Sequence, residues 1–227
     1  MESEQNSGPS GVRSSPSARV ARRGRLFVIS APSGAGKTSL VKALLARNSS
    51  LAVSISHTTR RARPQEQEGR EYHFVSPERF RELVARGAFL EHAQVFDNYY
   101  GTSREAVERL LAAGTDVVLE IDWQGARQVR AALPESVTIF ILPPSRRALE
   151  ERLTQRQTDS AEVIARRLRD AVSDMGHFNE FDYVAVNDRF EHTVEELESI
   201  LAGHGEALKR DRAALRPLLA ELLGNTA

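Results

Sequence analysis

At 227 residues the chain is long enough for one large domain, or for one domain carrying inserted lobes. Its 31 basic residues balance 31 acidic ones, which argues against a generally basic nucleic-acid binder and leaves only local basic patches. The absence of cysteine excludes disulfides, zinc–thiolate centres and cysteine nucleophiles. No apolar run approaches the roughly 18 residues of a membrane span, and "MESEQNSGPSGVRSSPSARVARRGR" lacks the apolar segment of a secretory signal, so a cytoplasmic protein without a membrane partner is expected.

Residues 1–23 are rich in Ser, Pro, Gly, Arg and Glu and are expected to be a disordered tail. A solvated leader and a basic arm touching RNA or a partner both fit that composition. "RLFVIS" then reads as a strand buried on both faces. A Gly-rich turn leads into "KTSLVKALLAR", where Leu40, Ala43, Leu44 and Ala46 recur at helical spacing. "AVSIS" is a short strand, followed by the polar, aperiodic "HTTRRARPQEQEGREYHF". "SPERFRELVARG" has Ser76 as N-cap, Pro77 at the first helical position and Gly87 past the end, and "SREAVERLLAAG" repeats this grammar with Ser103 and Gly114. "TDVVLEID" and "VTIFIL" are buried strands, "PPSRRALEERLTQRQ" and "SAEVIARRLRDAVSDM" cationic helices, and "YVAV" a last strand. The C-terminal segment is expected to be helical, broken near Gly203–Gly205. Its stripe of Leu208, Leu215, Leu218, Leu219, Leu222 and Leu223 fits either the chain's own sheet or a second subunit, so a homodimer or higher homo-oligomer stays open.

Alternating strands and helices predict a parallel sheet covered on both faces. That core takes 24–54, 103–144 and 168–205. Residues 55–102 break the rhythm as an inserted lobe, 145–167 form an arginine-rich helical flap, and 206–227 a terminal helix.

"SAPSGAGKTSL" carries the phosphate-loop pattern G-x-x-x-x-G-K-[ST], with Ala31 in place of the first glycine. Its chemistry needs backbone N–H groups converging on an anion, a lysine for the terminal phosphates and a hydroxyl for a metal. Gly34 and Gly36, Lys37 and Thr38 supply these, within a nucleotide-binding stretch Ser33, Gly34, Ala35, Gly36, Lys37, Thr38 and Ser39 that takes ATP in the reaction implied below. The inserted lobe concentrates Arg60, Arg61 and Arg63, then Arg70 and Tyr72, whose forks and hydroxyl suit phosphate oxygens. "FLEHAQVFDNYYGTS" adds Glu91, Tyr99, Tyr100 and Thr102. A carboxylate facing a base accepts from guanine N1–H and the exocyclic amine together, and adenine offers neither donor there. The six histidines are scattered and form no zinc pattern, and Trp123 and Phe96 read as packing residues.

"SAPSGAGKT", "SISHTTRRARPQEQEGREYHF", "FLEHAQVFDNYYGTS", "LEIDWQGARQV", "FILPPS" and "DYVAVND", in this order over about residues 25–205, resemble the guanylate kinase family. The resemblance implies an α/β fold: a P-loop NTPase-type parallel sheet flanked by helices, with an inserted α+β GMP-binding lobe and a small helical lid. It also accommodates Ala31, since bacterial members often carry alanine there. It implies that Arg60, Arg63, Tyr72 and Tyr100 hold the GMP phosphate, that Glu91 reads guanine, and that Ser56 and Thr102 supply hydroxyls near the base. Asp122 corresponds to an acid near the ribose and the metal, with Glu120 on the same face of the strand. In the flap, Arg156 and Arg167 correspond to arginines on the ATP phosphates, although "TQRQ" stands where the family usually has R-G-R-G, so a stiffer flap is expected.

The implied reaction is Mg²⁺-assisted transfer from ATP to GMP, and to dGMP, with Lys37, Arg60, Arg156 and Arg167 catalytic and Thr38 on the metal together with the phosphates. Two alternatives make different demands on the residues. A non-catalytic interaction module on this scaffold would lose phosphate-loop residues, whereas Gly36, Lys37 and Thr38 stand together with Glu91. A kinase for a ribose phosphate would need no guanine-reading lobe.

Overall fold

The computed structural model describes residues 22–95, 97–154 and 161–224. The expected tail falls almost wholly outside them, as do Phe96 and Arg156. Its boundary shifts slightly: the Arg22 guanidinium already donates to Asp116 at 2.8 Å, and Gly24 N donates to Leu111 O.

The run Leu26–Ser30 is strand β1, with all five residues buried. It leads through the loop into helix α1 (Lys37–Arg47) and then to β2 (Leu51–Val53). β3 (His57–Thr58), β4 (His73–Phe74), α2 (Pro77–Ala85), β5 (Phe89–Val95) and β6 (Asn98–Ser103) follow. The remaining elements are α3 (Arg104–Ala112), β7 (Asp116–Glu120), α4 (Trp123–Ala132), β8 (Val137–Leu142), α5 (Arg146–Thr154), α6 (Ala161–Met175), β9 (Tyr183–Val186), α7 (Phe190–Leu201) and α8 (Arg216–Leu223).

Five strands form one parallel sheet in the order β2-β7-β1-β8-β9. Alternate residues of each strand serve opposite faces. Phe27, Ile29, Val118, Ile139, Ile141 and Ala185 pack with α1 and α7 through Leu40, Leu44, Val194 and Leu197. Leu26, Val28, Leu119, Phe140, Leu142 and Val184 pack with α3 to α6 and α8. The chain is therefore the expected α/β sheet covered by helices on both faces.

The lobe contributes a second sheet in the order β4-β3-β6-β5, antiparallel at β3–β6 and β5–β6. Ser76 caps α2 by accepting from Arg79 N, and Ser103 caps α3 by accepting from Ala106 N, as their positions in the sequence predict. Phe80 of α2 stacks on Tyr99 and packs against Phe89, which covers the outer face of this sheet.

Three parts differ from the sequence reading. Residues 206–227 are not one helix: two single 3-10 turns at Glu206–Leu208 and Ala213–Leu215 precede α8. The segment between them is a turn, closed by Arg212 N donating to Lys209 O, that lies along the free edge of β9. Lys209 bridges Tyr183, and the Arg210 and Arg212 guanidinium groups donate to Phe181 O and Val184 O. The leucine stripe lies on the chain's own core, with Leu215 and Leu222 buried and Leu218, Leu219 and Leu223 packed against the same cluster. Second, the flap begins as a core helix, since Leu149 and Leu153 of α5 are fully buried. Third, α4 is a helix that the expected elements do not include. Its cap is Asp122, which accepts from Gly125 N at 2.9 Å.

Candidate active site

The loop after β1 turns through two left-handed glycines, Gly34 (φ 88°) and Gly36 (φ 94°), before α1 begins at Lys37. Gly36 is doubly constrained, because a β-carbon there would meet Nδ2 of Asn187 at 2.5 Å. That amide, at the end of β9, donates to Ala35 O at 2.7 Å and straps the loop to the sheet. The Ala35 side chain is itself buried in the apolar cluster, so its contribution to a ligand is confined to its backbone. Ala31, at the position of the missing glycine, packs against the edge of that same cluster. Lys37 Nζ donates to Ile121 O at 2.8 Å, and the Thr38 hydroxyl donates to Glu120 Oε1. Arg167 of α6 reaches across and donates to Ser33 Oγ at 3.0 Å.

Opposite the loop lies the inner face of the lobe. A bulge at Leu90 shifts the β5–β6 register between Phe89 and Glu91. Two residues apart on a regular strand would share a face. The bulge instead leaves Phe89 among Phe80, His57 and His92 on the outer side and turns Glu91 inward. Glu91 is buried and its Oε1 accepts from Thr102 Oγ1 at 2.5 Å, with Ser56 Oγ 3.4 Å from the same hydroxyl. Burial pushes the Glu91 carboxyl up to about 7, and the charge of Asp122 adds to that rise against the Thr102 hydrogen bond.

One cleft of about 350 Å³ joins the two halves. Ser33, Gly34, Gly36, Lys37, Thr38 and Ser39 line one side, and Ser56, Tyr72, Glu91 and Tyr100 the other. Glu120, Ile121 and Asp122 form its floor at the end of β7. This is the crevice beyond the carboxyl ends of the parallel strands, where open α/β sheets bind ligands. Tyr72 and Tyr100 meet edge to face with ring centres 5.9 Å apart, and burial raises the Tyr72 hydroxyl above its ordinary value. Asp122 serves twice, as cleft wall and as the cap of α4.

Two expected phosphate ligands stand aside. Arg60 lies over the Tyr72 ring at 5.4 Å but gives its fork to Glu66 Oε1 at 2.8 Å and Arg61 O at 2.8 Å. The Arg63 side chain is 72% exposed and only 4.0 Å from Glu66. Glu66 also accepts from Arg63 N, so one carboxylate holds this whole turn. Neither arginine is part of the cleft wall. Arg156 lies outside the described residues.

The sequence reading missed Asn187, which straps the loop from outside the cleft, and the Ile121 carbonyl, Asp170 and Asp174, which belong to residues lining it. Asp170 and Asp174 are four residues apart and so share a helix face, which a helical count would have exposed. Burial raises the Asp174 carboxyl, although it accepts from Trp123 Nε1 at 3.1 Å. Trp123 is a packing residue, stacked on His177 with ring centres 3.6 Å apart.

Among the described residues no group of three or more His, Cys, Asp or Glu gathers to hold a metal. Thr38 with Glu120, and Asp122 nearby in the cleft wall, is an all-oxygen set too small to enclose an ion. It suits a hard cation that keeps most of its ligands as water and phosphate oxygens.

Comparison with known proteins agrees with this architecture. The family model described as guanylate kinase matches residues 23–204. The guanylate kinase of Chromohalobacter salexigens is 58% identical over 201 residues, covering 88% of this chain and 94% of that relative. The guanylate kinase of Alkalilimnicola ehrlichii is 55% identical over 201 residues, covering 88% and 99%. The crystal structure of guanylate kinase from Anaplasma phagocytophilum superposes with a TM-score of 0.68 at 34% identity, covering 88% of this chain and 95% of that one. A P-loop cleft with a facing acid-bearing lobe, a family match across the fold and relatives more than half identical lead to one conclusion: the chain belongs to the guanylate kinase family.

Proposed function

We propose that the cleft transfers the γ-phosphoryl group of ATP to the phosphate of GMP, or of dGMP, yielding ADP and the nucleoside diphosphate. The observation that carries this reading is the sharing of one cleft by the phosphate loop and the buried Glu91–Thr102 pair. A phosphate oxygen of GMP attacks the γ-phosphorus in line while the bond to the β,γ-bridging oxygen breaks. Catalysis then rests on positioning and charge neutralisation, and no protein nucleophile is required.

The N–H groups of residues 33–39 and the start of α1 hold the polyphosphate, with Lys37 Nζ exchanging Ile121 O for terminal phosphate oxygens. Arg167, already at Ser33, neutralises charge on the same group, and Arg156 would join it from the flap. Mg²⁺ held by Thr38 and the phosphates, with Glu120 behind the hydroxyl, would add charge stabilisation to the developing transition state.

On the acceptor side, Glu91 accepts from guanine N1–H and N2–H while Ser56 and Thr102 orient it. Asp122 faces the ribose. Tyr72 and Tyr100 meet the GMP phosphate, and Arg60 and Arg63 turn from Glu66 to join them as the lobe closes and water is excluded.

The test is a coupled assay of ADP release with GMP, dGMP, AMP, CMP and UMP as acceptors. Turnover confined to GMP and dGMP is expected. AMP used as well as GMP would overturn the guanine assignment.

A further inference from the structure

β5 is the edge strand of the lobe's sheet and pairs with β6 on one side only. On its open side the backbone of His92 meets Gln128 of α4. His92 N donates to Gln128 Oε1 at 3.1 Å, and Gln128 Nε2 donates to His92 O at 2.7 Å. A primary amide carries an acceptor and donors on one plane, so a single side chain occupies both free backbone groups of one residue, as a neighbouring strand would. His92 directly follows Glu91, whose carboxylate enters the cleft. Gly125, three residues before Gln128 and on the same side of α4, is the point at which that carboxylate passes the helix. Helix α4 thus meets the strand on both sides of the same peptide unit: beneath the Glu91 side chain and beside the His92 backbone.

We infer that Gln128 is a positioning residue for base recognition: its two-point hold on His92 sets how far Glu91 enters the cleft and, through Glu91, the preference for a guanine base. The inference rests on the reading of Glu91 as the guanine-facing carboxylate. Gln128 does not itself line the cleft, and among the described residues its further hydrogen bond is to Gln124 O at 3.5 Å. Both of its hydrogen bonds to β5 are to the His92 backbone, so the strand carries its effect to Glu91. The hold also joins the base-reading strand to a helix of the core, so Glu91 keeps its place relative to the floor formed by Glu120 and Asp122.

Steady-state kinetics of Q128M separate this role from simple covering of a sheet edge. Methionine keeps the volume and removes both hydrogen bonds. The KM for GMP is expected to rise about tenfold, while kcat and the KM for ATP change by less than about twofold. The ratio of kcat/KM for GMP to that for AMP is expected to fall in step. A variant that only melts earlier, with KM and the ratio unchanged, overturns the inference. In an E91Q background the Q128M effect on KM is expected to vanish; its persistence in full means that Gln128 acts elsewhere, which also overturns it. E91Q on its own distinguishes the two levels. If E91Q leaves GMP use unchanged, the reading of Glu91 fails and the inference with it. If E91Q weakens GMP use and Q128M does not, only the inference fails. Should Q128M not fold, Q128E carries the same test, because it keeps the acceptor for His92 N and loses the donor to His92 O.

Discussion

The Glu91 carboxylate lies against the bare α-carbon of Gly125, so closely that a β-carbon there would stand 2.5 Å from Oε2. Real side chains do not approach so near, and something must move. The obstructing atom is the end of a flexible side chain rather than backbone, so the helix can keep its place while the carboxylate gives way. Gly125→Ala should therefore separate stability from activity. Alanine favours an α-helix over glycine by about 1 kcal/mol, which offsets part of the crowding. We expect an unfolding temperature within a few degrees of wild type and a loss in kcat/KM for GMP of about tenfold or more. The KM for ATP should hold. Thermal melts alongside acceptor kinetics check this, and unaltered GMP kinetics would remove the close approach from the recognition argument.

Glu91 also predicts two opposite pH dependences. Its folded value of about 7 lies above the ordinary 4.5, chiefly because burial disfavours the charged form. The folded chain thus keeps a proton that the unfolded chain releases. The resulting stability is full below about pH 4.5 and is lost as pH rises through about 7. On the proposed role of Glu91, accepting from guanine N–H groups requires the ionised form, so GMP affinity should rise as the carboxyl ionises. The GMP phosphate titrates nearby, and Glu91→Gln separates the two contributions because it shares the substrate and lacks the carboxylate. We expect KM for GMP to fall between about pH 6 and about pH 8 in the wild type, and the part due to Glu91 to disappear in the variant. Parallel KM profiles for the two proteins would show that the carboxylate does not titrate in that range.

Lys37 makes a sharper case. Its ammonium donates to the neutral carbonyl of Ile121 at 2.8 Å, so its charge is available to an incoming polyphosphate. Methionine preserves the apolar stem and removes the charge. We expect Lys37→Met to lower turnover by about two to three orders of magnitude, as loss of a charge-stabilising group does elsewhere, with the fold retained. ADP release and circular dichroism check both halves, and a folded, fully active variant would overturn the loop assignment.

Much of the site could be read in the sequence because it depends on local rules. A buried strand followed by G-A-G-K-T and an apolar-periodic helix needs no tertiary information, and Ser76 and Ser103 cap their helices where their positions say they should. The rest depends on contacts between distant segments. Leu90 is an ordinary apolar residue in sequence, yet the bulge there decides which way Glu91 faces. Helix α4 has a weak signature in sequence because it opens with Trp-Gln-Gly, and its cap Asp122 also carries a chemical role in the family's motif. The turn at 209–212 sits on the free edge of β9, which no window around those residues contains. Arg60 and Arg63 carry the right chemistry at the right spacing, but their partner in this conformation is Glu66.

Asn187 is the long-range contact with the plainest consequence for ATP. Its Nδ2 donates to Ala35 O at 2.7 Å, its N–H donates to Leu142 O at 2.8 Å, and its own carbonyl accepts from Arg152 at 2.9 Å. It therefore ties the phosphate loop to β8 and α5. Gly36, held at φ 94°, leaves the space that the amide fills. Asn187→Ala removes one hydrogen bond and leaves Ala35 O facing a small void, which should raise the KM for ATP by about tenfold. Asn187→Asp keeps the shape but points a carboxylate at that carbonyl and adds negative charge beside the polyphosphate. It should therefore be the worse of the two for ATP, with a deficit that shrinks as pH falls and the carboxylate is protonated. A size effect alone would give the reverse order, with the isosteric aspartate close to wild type. ATP kinetics of the two variants across pH decide between strap and spacer.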